Sequence, residues 1–148
     1  MKLDSLVKCQ GINNLIEVSS GNKNYTDKHV LLVDDEPNII IPVEFLIRQQ
    51  GFQVTKVYNG LDALKAIANQ CPDIIILDVM MPEMDGFEVA RRIRENPDCQ
   101  HVRIIFLTAK GTPSDRRHGY ELGGEIYLTK PFDNDELVSI VTEMAAFG

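Results

Sequence analysis

Four carboxylates stand where two apolar runs stop. The run from His29 to Val33 (HVLLV) is followed at once by Asp34, Asp35 and Glu36, and the run from Ile74 to Leu77 (IIIL) is followed by Asp78. Taken singly, an Asp after a buried strand is a loop residue or a helix cap. Taken together, carboxylates that converge repel one another and raise each other's pKa values unless a cation joins them. An all-oxygen set of this kind suits a hard divalent metal ion.

The elements that would bring these residues together are legible in the same runs. Stretches of Val, Ile and Leu without polar alternation are the pattern of parallel strands buried on both faces. The spacing predicts five strand–helix units: strands near 29–34, 53–57, 74–78, 103–107 and 125–129, and helices near 38–50, 60–69, 85–95, 114–122 and 133–146. Asn59-Gly60 and Asp85-Gly86 are turn chemistry leading into helices, and Asp133 with Glu136 makes a capping-box-like start for the last one. Regular alternation implies right-handed crossovers and one central parallel sheet with helices on both faces. In such a sheet the ligand crevice lies outside the strand carboxyl ends, which is where Asp34, Asp35 and Asp78 fall. Pro42 conflicts with the first helix, since an interior proline costs about 3 kcal/mol. A late helix start or a kink is expected there.

Composition narrows the class further. The chain has 148 residues, enough for one domain with its own core, and a formal charge of −7 with pI near 4.9. That balance argues against a nucleic-acid backbone or an anionic membrane surface as partner. Cys9, Cys71 and Cys99 are odd in number and lack metal-site spacing, which reads as reduced thiols in a cytoplasmic protein. No apolar run has the length of a membrane span. Residues 1–27 precede the first strand signal and carry two small apolar clusters separated by Gly11. They read as an extension, flexible or a short helix, before a domain at 28–148.

Four segments in order then make a resemblance: Asp34-Asp35-Glu36; the stretch from Leu77 to Gly86 (LDVMMPEMDG); Leu107-Thr108-Ala109; and the stretch from Tyr127 to Phe132 (YLTKPF). In type, order and spacing they resemble the landmarks of a response-regulator receiver domain of two-component signalling, of the stand-alone, chemotaxis-receiver-like kind. The resemblance covers about residues 28 to 146. It implies an α/β, flavodoxin-like, doubly wound fold: a five-stranded parallel sheet in order 2-1-3-4-5 with five helices.

The resemblance also assigns roles. Asp78 would be the phosphoacceptor, a carboxylate nucleophile forming an acyl phosphate. Mg2+ would be held by Asp35, Asp78 and the backbone carbonyl of Met80, with Asp34 acting through water. Lys130 would place an ammonium on a phosphoryl oxygen and Thr108 a hydroxyl on another. Ala109 leaves room for that group, and Met80 and Lys110 flank the site. Thr108 and Tyr127 would form the switch: Thr108 moves toward the phosphoryl group and the Tyr127 ring turns into the space left. The Lys130–Pro131 bond falls where receivers often have a cis peptide. Glu36 reads as helix entrance, and Arg116 and Arg117 as an exposed helix face. His29, His101 and His118 receive no role.

The implied partners are a histidine kinase or histidine phosphotransfer protein as donor and an unknown downstream protein as target, with a homodimer through the same surface as a further option. Only Phe147 and Gly148 follow the last expected helix, so the reading is a single-domain switch protein that catalyses only its own phosphorylation and slow dephosphorylation. A haloacid-dehalogenase-type phosphohydrolase needs a second acid two positions after the nucleophile, where Met80 stands. A flavin-binding module needs a glycine- and hydroxyl-rich phosphate loop, where Asp34-Asp35-Glu36-Pro37 stands. The rival left standing is a receiver-shaped docking module that acts without phosphorylation.

Overall fold

The computed structural model describes residues 25–147. Its elements run β1 (His29–Val33), α1 (Pro37–Gln49), β2 (Gln53–Val57), α2 (Gly60–Asn69), β3 (Ile74–Leu77), α3 (Gly86–Glu95), a short 3-10 turn (Pro97–Cys99), β4 (Arg103–Thr108), α4 (Pro113–Glu121), β5 (Gly124–Thr129) and α5 (Asn134–Phe147). All strand pairs are parallel, and the sheet order is β2-β1-β3-β4-β5. The alternation predicted a parallel sheet covered on both faces, and this is the 2-1-3-4-5 order that the resemblance implied.

Every residue of β1 and β3 is buried, because helices cover both faces of the sheet centre. On one face, Val30, Leu32, Ile74, Ile76, Ile105 and Leu107 meet Val43 and Ile47 of α1 and Leu137 and Val141 of α5. On the other, Leu31, Ile75, Leu77, Ile104 and Phe106 meet Ala63 of α2 and Val89, Ala90 and Ile93 of α3. Alternate side chains of one strand therefore anchor opposite layers. The strand ends, and the carboxylates beyond them, are fixed from both sides.

Side-chain caps set the helix starts. The side chain of Asn59 accepts from the Asp62 amide and that of Asp85 from the Glu88 amide, while Thr112 and Asp115 form a reciprocal capping box on α4 that the sequence reading missed. Asp133 Oδ1 accepts from the Asp135 amide at 2.9 Å, a local cap in place of the expected box with Glu136.

Three expectations need correction or extension. The first helix does not start late: it begins at Pro37 and runs on through Pro42. The missing Pro42 amide leaves without its helical donor the carbonyl of Asn38, an exposed residue of the first turn. Tyr25, assigned to the extension, is buried and stacks on Phe52 at 4.5 Å, so packed structure begins before Lys28. The rest of the extension, residues 1–24, lies outside the described residues. Cys71 and Cys99, read as free thiols, are joined in a disulfide with a Cα–Cα distance of 5.7 Å. Helix–sheet packing brings the loop after α2 beside the turn after α3, a proximity the linear spacing does not reveal. No helix among the described residues is long and apolar enough to cross a membrane.

Candidate functional site

The strand order puts the ends of β1 and β3 side by side, with β4 and β5 next in line. Asp34 and Asp78 follow paired strands, and the Asp78 amide donates to the Val33 carbonyl at 2.9 Å, which ties the two acidic corners together. Gly86 lets α3 begin directly beneath: a Cβ there would lie 2.3 Å from the Asp78 carbonyl oxygen. The positions of Asp78 and of the helix that follows it are thus fixed by close backbone contact.

Asp34, Asp35 and Asp78 each offer a carboxylate oxygen within 4.8 Å of the others. Asp34 and Asp78 are 4% and 3% exposed, whereas Asp35 faces solvent. Asp34 Oδ1 accepts from the Glu36 amide at 2.9 Å, and Asp78 Oδ1 accepts from the Met80 amide at 3.1 Å. Asp34 Oδ2 is buried without a hydrogen bond, although the Lys130 ammonium lies 2.8 Å away as an off-axis ionic contact. An under-satisfied buried carboxylate oxygen beside two more carboxylates fits an oxygen-loving cation.

Lys130, at the end of β5, reaches into this corner. Its Nζ lies 2.8 Å from Asp34, 3.3 Å from Asp78 Oδ2 and 2.6 Å from Glu36 Oε1. Burial pushes the Asp34 carboxyl up to about 6, with Asp78 adding to the effect and Lys130 and the Glu36 amide opposing it. Burial would lower the Lys130 pKa, but its close pairing with Asp34 and Glu36 and the Asp78 charge outweigh this and raise it. The ammonium is therefore the fixed charge of the corner. The crevice above it, about 540 Å³, is lined by Asp35, Glu36, Ile39, Asp78, Met80, Ala109, Lys130 and Pro131.

The structure brings Asp34, Asp35, Asp78, Met80 and Lys130 together and keeps two other expected residues at a distance. Thr108 ends β4 but is 0% exposed and absent from the crevice lining; its Oγ1 accepts from the Lys110 amide at 3.2 Å. Tyr127 lies behind it, 4% exposed, with its hydroxyl donating to the Lys110 carbonyl. Burial, the Asp115 charge and, more weakly, Asp78 push that phenol up to about 12 against the pull of Arg116. The ring already occupies the inward position that the resemblance associates with the phosphorylated form. The Lys130–Pro131 bond is cis, as the resemblance implies.

Two side-chain contacts were not foreseen from the sequence. Glu36 lies at the entrance to α1, as expected, but its side chain also pairs with Lys130 across 94 residues of chain. Arg116 is half-buried against Tyr127 instead of lying on an exposed face. No local pattern could have found either, because both contacts depend on how α1 and α4 sit against the end of β5.

With the geometry in place, similarity to known proteins becomes informative. Residues 30–142 match the family model for the response regulator receiver domain. The response regulator Rre1 of Synechocystis is 38% identical over 118 residues, 79% of this chain and 51% of its own length, so the chain spans about half of that relative. A putative response regulator from Chloroflexus aurantiacus superposes with a TM-score of 0.74 at 35% identity, covering 84% of this chain and 99% of that one. The chemotaxis response regulator CheY4 of Vibrio cholerae superposes with a TM-score of 0.74 at 30% identity, covering 79% of this chain and 98% of that one.

Proposed function

Because the chain belongs to the response regulator receiver family of two-component signalling, we propose that it accepts a phosphoryl group on Asp78 from a phospho-histidine and thereby switches a protein-binding surface. The observation that carries this reading is the corner itself: two buried carboxylates and an exposed third, with the Lys130 ammonium 3.3 Å from Asp78 Oδ2. In the transfer, a carboxylate oxygen of Asp78 forms a bond to phosphorus, the phosphorus–nitrogen bond breaks, and the imidazole leaves with its electron pair and takes up a proton. Lys130 is placed to follow the phosphoryl oxygens, exchanging part of its pairing with Glu36 and Asp34 for them. Asp35, Asp78 and the Met80 carbonyl, with Asp34 through water, would hold Mg2+, which supplies charge neutralisation on the transferring group. Thr108 must turn its hydroxyl from the Lys110 amide toward the new oxygens. Its coupling to Tyr127 carries the event to the surface of α4, β5 and α5.

On this reading the protein is a phosphoacceptor switch in the cytoplasm, not an enzyme acting on a separate substrate. Its donor is a histidine kinase or histidine phosphotransfer protein, and its target is a separate protein, with self-association through the switch surface as another outlet. A second reading, a docking module that works without phosphorylation, draws support from the inward Tyr127. Intact mass after incubation with acetyl phosphate separates the two. One added phosphoryl group that requires Mg2+ and disappears in Asp78→Asn is expected; no addition to the wild type under any metal condition would favour the docking module.

A further inference from the structure

We propose that Arg116 is a latch that holds the Tyr127 ring inward, a positioning residue of the switch that never touches the acceptor. The proposal rests on the receiver reading of Tyr127 but names a residue and a mechanism beyond it. The guanidinium makes three contacts on one strand. Nη1 donates to the Tyr127 carbonyl at 3.0 Å, Nη2 donates to Thr129 Oγ1 at 2.5 Å, and the guanidinium carbon sits 5.3 Å from the centre of the Tyr127 ring. β5 is an edge strand, so its outward carbonyls have no ladder partner, and Arg116 takes the one at Tyr127.

No ion pair among the described residues involves Arg116. Its charge goes to a carbonyl, a hydroxyl and an aromatic face, all at the upper end of β5. A planar, forked cation is suited to such a combined grip, and a lysine is not.

The inward site is built around the ring on its other sides. The phenol donates to the Lys110 carbonyl, Lys110 Nζ lies 3.8 Å from Asp115, and Asp115 belongs to the capping box that starts α4. Gly119 forms the floor: a Cβ there would lie 2.9 Å from Tyr127 Cδ2 and 3.1 Å from Phe106 Cδ2. Arg116 and Gly119, one helical turn apart, thus grip the strand and seat the ring. Thr129, the second strand contact, directly precedes Lys130, so the latch also fixes the strand end that presents the ammonium to Asp78.

The test uses the full chain labelled with 3-fluorotyrosine. Its four tyrosines give few fluorine resonances, and that of Tyr127 is assigned by Tyr127→Phe. The wild type is expected to show Tyr127 as a single inward resonance. Arg116→Ala is expected to shift it toward the solvent-exposed value or split it. If the inward population falls to about one fifth, the apparent affinity for beryllofluoride with Mg2+ should weaken about fivefold. A merely structural role would lower the melting temperature and leave the ring resonance where it is. A Tyr127 resonance in folded Arg116→Ala that superposes on the wild type overturns the latch; should that variant not fold, Arg116→Gln is judged by the same criterion. Failure of the wild type to bind beryllofluoride would instead refute the acceptor reading, and the fluorine resonance would still decide the latch.

Discussion

Lys130 contacts three of the four carboxylates of the corner, Asp34, Glu36 and Asp78, from the far end of the chain, and its ammonium is what allows Asp34 and Asp78 to be buried as close neighbours. At the residue level the sequence exposed the chemistry but not every partner. Asp34, Asp35 and Asp78 announced themselves by standing after apolar runs. The Glu36 pairing with Lys130 and the Arg116 grip on Tyr127 did not, because side-chain reach across a fold leaves no local trace. His29 was likewise given no role, yet it is buried, with Nε2 2.8 Å from Thr55 Oγ1 and Nδ1 lacking a partner. Burial holds its pKa below 6.5, with Asp73 opposing. A lowered folded-state value means that the unfolded chain takes up the proton first. His29's contribution to stability is complete above its unfolded value and is lost as pH falls through the folded one. The raised pKa of Asp34 acts in the opposite direction over part of that range, so the informative comparison is between variants. Melting curves between about pH 7.5 and 5.5 should show the wild type losing more of its melting temperature than His29→Gln. Parallel losses would show that His29 is indifferent to pH.

Element boundaries were legible to within a residue or two because each has a local cause. Asn59 and Asp85 cap α2 and α3 by their own side chains, and the strands are continuous β-branched or leucine-rich runs. Pro42 was misread for an equally physical reason. The penalty of an interior proline depends on whether the carbonyl it strands can find water, and exposure on a helix cannot be judged without knowing which face packs. Here the buried face is Ile40, Val43 and Ile47, and the carbonyl left without a partner belongs to exposed Asn38. Pro42→Ala should restore that hydrogen bond and stabilise the domain by about 1–2 kcal/mol, less than the full helix-interior penalty because proline stiffens the unfolded chain. Urea unfolding would measure it, and an unchanged or lowered midpoint would mean that proline's restriction of the unfolded chain dominates. The Cys71–Cys99 bond escaped the sequence reading because it is a contact between two loops brought together only by packing of α2 and α3 on one face.

Across the whole molecule, the layers divide the labour. α1 and α5 cover one face and α2 and α3 the other, while α4 and β5 hold Tyr127 at the sheet edge. The acidic corner lies at the carboxyl ends of the central strands, where charge added to Asp78 is felt by Lys130 at the end of β5. A phosphoryl group would bring roughly two negative charges and three acceptor oxygens to that corner, enough to compete for Thr108 and Lys130. The parallel sheet covered on both faces follows from the alternation of strand and helix signals, and its strand order from the family resemblance; the inward position of Tyr127 follows from neither, since two packings of one sequence share the same periodicity. The most direct test of the account is the location of the phosphoryl group. After incubation with acetyl phosphate and Mg2+, borohydride reduction converts an acyl phosphate on aspartate to homoserine, and peptide mapping reads its position. Conversion confined to Asp78 is the predicted result; conversion at Asp34 or Asp35, or at none of the three, would contradict the assignment of the acceptor.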